Sequence, residues 1–338
     1  MGRWGRNWAT DVLPQVPEVE LVGCVDVGPG ILSEVVKSGI ARKEQCYRSF
    51  AAALLSTGPD AVLITTDMTS HVATVRAALE AGQPVLCEKP LAPSMAKARD
   101  LVELASKLHL TLMVSQNYRF YPAVRAVQQI VADGFLGALV HIAVDFRRYS
   151  GALPAPGHLS WPQPLLLDMS VHHFDLMRAV IGREPREVFC RTWNPTWAGF
   201  VDPPEGAAAI VFDDGLVVSY RGSWICPVRP TPWAGEWRME FEQGELWWTS
   251  RSDNMTSDDD VVRLYRRNGP PEGEPVDLPT LPALDRAGAL AQFAQSLDQQ
   301  TAPETSAQDN LGSLAIVYAA IESAATGEPV RIATPPKS

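Results

Sequence analysis

The chain has 338 residues, long for one hydrophobic core and suited to two domains. Its net charge of -10 comes from acidic residues that are dispersed apart from Asp258-Asp259-Asp260, which excludes the basic face a nucleic-acid partner needs. No apolar run approaches a membrane span, residues 1–30 lack a signal-peptide pattern, and the five cysteines are widely spaced without paired metal spacing, so a cytoplasmic protein with reduced thiols and no metal is expected.

From Val19 to about Gln116, short apolar runs alternate with amphipathic stretches, the pattern of a parallel α/β sheet. Strands are predicted near 19–26, 61–65, 84–87 and 110–115, with a weaker one at 45–48. Helices are predicted over 6–13, 49–56, 71–81 and 94–108, the last two capped by Thr69 or Ser70 and by Ser94. The strand at 84–87 ends in Glu88-Lys89-Pro90. In doubly wound sheets ligands sit at the carboxyl ends of strands, which places Lys89 at a cleft where its ammonium can hydrogen-bond a substrate hydroxyl. After Pro122 the pattern changes. A helix at 121–133 precedes a strand at 138–149, a Pro/Gly-rich loop at 150–164 and a helix ending at Gly182. Long alternating strands follow between 186 and 266, among them 207–212 and 217–224, and helices near 283–298 and 307–325 close the chain.

With Glu88-Lys89-Pro90, four further motifs carry a resemblance: Asn117-Tyr118-Arg119-Phe120, the Gly134-Phe135-Leu136-Gly137 turn, Asp168-Met169-Ser170-Val171-His172-His173-Phe174-Asp175, and Gly327-Glu328-Pro329-Val330. In their order and over nearly the whole chain they resemble the Gfo/Idh/MocA (glucose-fructose oxidoreductase/inositol dehydrogenase) oxidoreductases. The resemblance implies an α/β fold: a Rossmann-like domain over 1–117 and, over 118–338, an α+β domain for substrate binding and oligomerisation built on a large, mainly antiparallel open-faced sheet. It departs from the family at Asp67-Met68, where proline and asparagine are common, at Ser170 for a usual glycine, and at Pro164-Leu165 for a glycine pair.

Gly2-Arg3-Trp4-Gly5 reads as the last four positions of a Gly-x-Gly-x-x-Gly fingerprint, or simply as a helix start with small residues. Asp26, at the end of the strand and about 20 residues on, is the candidate for the adenosine ribose hydroxyls. A carboxylate there repels a 2′-phosphate and no arginine follows it immediately, so NAD is favoured over NADP. The first glycine and the first strand of the fingerprint are missing. In the usual 3-2-1-4-5 order that strand is central, so a gap between 19–25 and 61–65 and weak NAD binding are expected, together with either a native reading frame that starts upstream or a naturally shortened protein whose NAD site is damaged.

In a helix, Asp168, His172 and Asp175 at i, i+4 and i+7 share one face, while His173 points about 100° away. Oxidation of a secondary alcohol removes the hydroxyl proton as hydride leaves the same carbon, and a histidine suits the proton transfer. The resemblance makes His172 the proton acceptor, with His173 as its rival, gives Lys89 the polarisation of the substrate oxygen, and assigns Asp168 to substrate hydroxyls. Asp175 is read as orienting its surroundings. The expected cofactor contacts are Gly2, Arg3, Trp4, Gly5, Asp26, Thr65, Thr66, His71, Glu88, Lys89 and Asn117, although packing at a helix start explains His71 equally well. The expected substrate contacts are Lys89, Arg119, Trp161, Asp168 and His172, with Trp193, Trp197 and Trp224 offering apolar faces for a sugar ring.

The implied activity is hydride transfer between a nicotinamide and a hydroxyl or keto carbon of a sugar, cyclitol or related polyol. The alternatives on the same fold are an NAD-assisted glycosidase and a non-catalytic ligand sensor or co-repressor. Strand residues Val211, Val217, Val218 and Trp224 are expected to leave an apolar sheet face that pairs subunits into a homodimer or homotetramer.

Overall fold

The computed structural model describes residues 1–28, 30–149 and 159–333. The chain forms two compact units, Met1–Asn117 with Arg286–Asn310 and Tyr118–Asp285 with Leu311–Ser338.

The first unit opens with α1 (Arg3–Asn7), which continues as a π turn (Trp8–Val12) and a 3-10 turn (Leu13–Gln15). Trp8, Val12 and Val16, four residues apart, form its buried stripe. Then come β1 (Cys24–Val25), α2 (Ile31–Lys37), β2 (Cys46–Tyr47), α3 (Phe50–Thr57), β3 (Val62–Ile64), α4 (Met68–Glu80), β4 (Val85–Cys87), α5 (Met95–Lys107) and β5 (Leu112–Val114). Every residue of β4 and β5 is buried, as helices covering both faces require. The strands are parallel but lie in two sheets, β1-β2 and β3-β4-β5. The expected gap between β1 and β3 is present: among the described residues no ladder joins them. The strand expected over 19–26 is correspondingly reduced to the two residues that find partners in β2.

Two helix starts differ from expectation. Asp67, not Thr69 or Ser70, caps α4: its Oδ1 accepts the Thr69 and Ser70 N–H groups at 3.0 and 3.2 Å. The Thr69 hydroxyl, the largest influence, with the Ser70 hydroxyl and N–H, outweighs burial and holds the Asp67 carboxyl below its ordinary range. α2 was not expected; it starts after Gly30, whose φ of 83° needs a glycine.

The second unit contains α6 (Pro122–Asp133), β6 (Leu139–Arg147), a π turn (Pro164–Ser170) leading directly into α7 (Val171–Ile181), then β7 (Pro185–Trp193), β8 (Glu205–Phe212), β9 (Val217–Ser223), β10 (Glu236–Phe241), β11 (Gly244–Thr249), β12 (Val261–Arg266) and β13 (Glu274–Pro275). α8 (Asp285–Gln299) belongs, from Arg286, to the first unit. There Val114 donates its N–H to the Thr305 carbonyl at 3.0 Å and accepts from the Thr305 hydroxyl at 2.8 Å. A single division at 117/118 omits this return. α9 (Ala307–Thr326) and β14 (Val330–Arg331) end the described chain.

The sheet runs β13-β12-β11-β10-β6-β9-β8-β7-β14, antiparallel except where β6 meets β9. Gly206 and Gly222 are cross-strand partners, and Leu165 occupies their missing side chains: a Cβ would lie 2.9 or 2.7 Å from a Leu165 methyl. The two glycines thereby seat the π turn that carries Asp168. Val218 and Trp224 are fully buried on this covered side. The expected apolar face is therefore divided: Val211 and Val217 lie on the other side of the sheet, among charged residues such as Asp145, Arg221 and Arg238. Sheet residues alternate faces, so Val217 and Val218 cannot share one.

Candidate active site

The first group lies in the Rossmann-like unit. Gly2 caps α1, with open space around the position of a Cβ. At Gly5 a Cβ would stand 2.9 Å from Thr65 Oγ1, so this glycine permits close packing of α1 on the end of β3, as the last glycine of a dinucleotide fingerprint does. N–H groups of the first helical turn lack intrahelical acceptors and suit a pyrophosphate. Arg3 and Trp4 are exposed there.

Asp26 follows β1. Its Oδ1 accepts the Gly28 N–H at 2.7 Å and its Oδ2 the Met1 ammonium at 2.7 Å. Burial pushes its carboxyl up, but these two partners and the Arg48 charge outweigh burial and hold it below its ordinary range. Each carboxylate oxygen has a second lone pair, so a ribose hydroxyl can still be accepted. Arg48, beyond the end of β2, donates to the Val27 carbonyl at 2.9 Å. The residues next to Asp26 in sequence do not announce this arginine, because β2 brings it back from a different part of the chain. The glycine-led helix start and the strand-end carboxylate together fit a dinucleotide.

Two residues expected to contact the cofactor are engaged elsewhere. Trp8 Nε1 donates to Glu88 Oε1 at 2.7 Å, so Glu88 braces the end of β4 against the first helical run. Both ring nitrogens of buried His71 meet main-chain carbonyls. Thr65 and Lys89 are half-buried, Thr66 is exposed and Asn117 is buried.

The second group lies in the sheet-containing unit. The His172 ring stacks on Tyr118 with centroids 4.0 Å apart and 7° between planes. Arg251 lies over the same Tyr118 ring at 4.5 Å, donates from Nη1 to Tyr118 Oη at 3.2 Å and pairs through Nε with Asp285 at 3.2 Å. Burial pushes the Tyr118 phenol up to about 12, with Arg251 opposing and the Asp285 and Asp168 charges adding. Tyr118 therefore stays neutral at physiological pH. Asp168 is half-buried in the π turn. Pro164–Ser170 has i→i+5 geometry, so the one-face spacing assumed for a regular helix through Asp168 does not hold there.

His173 has a different environment. Its Nε2 meets the Trp233 carbonyl at 3.0 Å and therefore carries hydrogen, while Nδ1 accepts from Tyr220 Oη at 3.0 Å, itself 2.9 Å from Ser170 Oγ. Burial lowers its pKa to about 4, although the Trp233 carbonyl pulls the other way. It is a neutral core histidine with both nitrogens satisfied.

Arg119, expected to contact substrate, is paired with Asp175. Its Nε and Nη2 bind Asp175 Oδ2 and Oδ1, both at 2.7 Å, with side chains 5% and 1% exposed. Ser313 Oγ also donates to Asp175 at 2.7 Å. Trp161 is 46% exposed, Trp193 and Trp197 are exposed, and Trp224 is buried in the core, where it offers no face to a sugar. The 150–158 part of the expected loop, including His158, lies outside the described residues. Sequence reading missed Trp8, Tyr220 and Arg251; Tyr118 was visible only as part of its motif.

Two protein-family models match the chain: an oxidoreductase family with an NAD-binding Rossmann fold over residues 1–116, and the GFO/IDH/MocA C-terminal domain over 124–245. The rhizopine catabolism protein MocA of Rhizobium meliloti is 29% identical over 78% of this chain and 75% of its own length. The 1,5-anhydro-D-fructose reductase of Ensifer adhaerens is 28% identical over 81% of this chain and 80% of its own. Among solved structures, the aldose-aldose oxidoreductase of Caulobacter crescentus superposes with a TM-score of 0.81 at 20% identity, covering 96% of each chain. No helix among the described residues is long and apolar enough to cross a membrane.

Proposed function

The chain belongs to the Gfo/Idh/MocA oxidoreductases, whose N-terminal domain binds NAD, and from that premise we propose that it is an NAD-dependent dehydrogenase or reductase acting on a hydroxyl or keto carbon of a sugar, cyclitol or related polyol. The observation that carries this reading is the contrast between adjacent histidines. His173 is locked in the core as a neutral, doubly bonded ring, whereas His172 is held by its face against Tyr118.

The residue roles follow from their chemistry. Lys89 Nζ donates to the reacting oxygen and favours its alkoxide character. A ring nitrogen of His172 takes the hydroxyl proton in oxidation and returns it in reduction. Asp168 accepts a hydrogen bond from a neighbouring hydroxyl and orients the polyol. Gly2 and Gly5 let backbone approach the pyrophosphate, and Asp26 binds the adenosine ribose while disfavouring a 2′-phosphate, which supports NAD over NADP. When bound, NAD supplies the hydride acceptor. The relatives acting on an anhydro-sugar and in rhizopine catabolism support the substrate class.

A panel of sugars and cyclitols incubated with NAD or NADP, read at the absorbance of the reduced nicotinamide, tests this function. At least one polyol should reduce NAD at a rate well above its reduction of NADP. Cleavage of an aryl glycoside without net NAD reduction, or ligand binding without turnover across the panel, would overturn it.

A further inference from the structure

His71 is 1% exposed, in the first turn of α4, with Nδ1 2.9 Å from the Pro90 carbonyl oxygen and Nε2 3.0 Å from the Thr66 carbonyl oxygen. These carbonyls lie beyond the ends of two adjacent parallel strands, β3 and β4. The ladder between the strands pairs Ile64 with Cys87, and its last backbone bond runs from the Glu88 N–H to the Ile64 carbonyl at 2.9 Å. Past that point the regular cross-strand tie is gone. Pro90 has no N–H, so its carbonyl is its only main-chain hydrogen-bonding group. One imidazole therefore takes over where the ladder stops.

We propose that His71 is a positioning residue, a clamp between the ends of β3 and β4 that fixes the Glu88-Lys89-Pro90 segment and hence the direction of the Lys89 ammonium. The clamp rests on the reading of Lys89 as the group that binds the reacting oxygen. Three observations fit it. Asp67 anchors the first turn of α4, so the ring projects from a fixed base. Trp8 holds the carboxylate of Glu88, the residue before Lys89. Neither ring nitrogen is directed to solvent or ligand, since both face carbonyl oxygens. A neutral ring donates to one carbonyl and the imidazolium to both, whereas an apolar substitute donates to neither.

The test is the acylation rate of each lysine with acetic anhydride, read by peptide mass spectrometry on the full-length protein, in wild type, His71→Leu and His71→Gln. His71→Leu should change the Lys89 rate by about threefold or more, the scale of a small shift in local opening, with Lys37, Lys43, Lys97 and Lys107 unchanged. His71→Gln, which keeps an N–H donor, should return the rate toward wild type. A wild-type Lys89 rate in both variants would overturn the clamp, as would parallel changes at Lys89 and the four reference lysines, which report general loosening. Turnover of Lys89→Ala tests the underlying reading separately: wild-type turnover there removes both, whereas impaired turnover with unaltered Lys89 labelling removes the clamp alone.

Discussion

Tyr118 and His172 stack face to face, 4.0 Å between centroids and 7° from parallel, while Arg251 reaches the same phenol through both its ring and its hydroxyl. Stacking sets the plane of the His172 imidazole through its face. A general base must be aimed before its pKa matters, so in the proposed mechanism Tyr118 governs how well His172 is presented.

Tyr118→Phe retains the plate and should keep turnover within about fivefold of wild type. Tyr118→Ala removes a buried ring and should lower stability by about 3–5 kcal/mol and turnover by about tenfold to a hundredfold. Thermal unfolding and steady-state kinetics separate the two effects. Full turnover in folded Tyr118→Ala would show that the stack has no part in catalysis.

The Arg119–Asp175 pair is a scaffold in which each charge needs the other. Asp175→Ala leaves the buried guanidinium without its bidentate partner and should cost about 3–5 kcal/mol in urea unfolding. A loss below about 1 kcal/mol, the range of exposed pairs, would mean that solvent reaches Arg119.

His173 makes stability pH-dependent. Burial sets its folded pKa at about 4, against the ordinary 6.5, with the Trp233 carbonyl opposing. The unfolded chain therefore takes up a proton first as pH falls. The His173 contribution is fully present above about 6.5 and is lost progressively toward pH 4, up to on the order of 3 kcal/mol. Unfolding free energies measured across this window should decline less steeply for His173→Gln. An unchanged slope would place the titration elsewhere.

In the proposed reading, in which Asp26 binds the ribose, the nearby Arg48 charge shares in setting the cofactor preference. Wild type should bind ADP more tightly than 2′,5′-ADP by calorimetry. Asp26→Ser removes the repelling carboxylate and leaves Arg48 for the phosphate, shifting the preference by about tenfold or more, since a close charge pair is worth up to about 4 kcal/mol at an effective dielectric of 20. Adding Arg48→Ala should cancel that gain. Unchanged selectivity in Asp26→Ser would show that Asp26 does not read the ribose.

The elements legible in the sequence combine periodicity with local end signals. α5 follows Ser94, whose hydroxyl accepts the Lys97 N–H, and α6 stops at Gly134 with φ of 66°. α2 was hidden because Gly28-Pro29-Gly30 reads as loop and Ile31–Lys37 is only two turns long. The Pro164–Ser170 π turn was hidden because seven apolar and polar residues show no difference between 3.6 and a wider period. The motifs marked Lys89 and His172 as residue types worth attention. Their neighbours were not legible: Trp8 meets Glu88, and Arg119 meets Asp175, only after the chain has folded over many intervening residues. His71 illustrates the limit most clearly, since its partners are main-chain carbonyls that carry no sequence signature.

The most direct measurement compares single-turnover NAD reduction by wild type, Lys89→Ala and His172→Ala, using the most active polyol of the panel and confirming the fold of each by circular dichroism. Both variants should be slower by roughly two to four powers of ten with unchanged spectra, the loss expected for a polarising group or a general base. A wild-type rate in either correctly folded variant would contradict the assignment of these two residues to hydride-transfer chemistry.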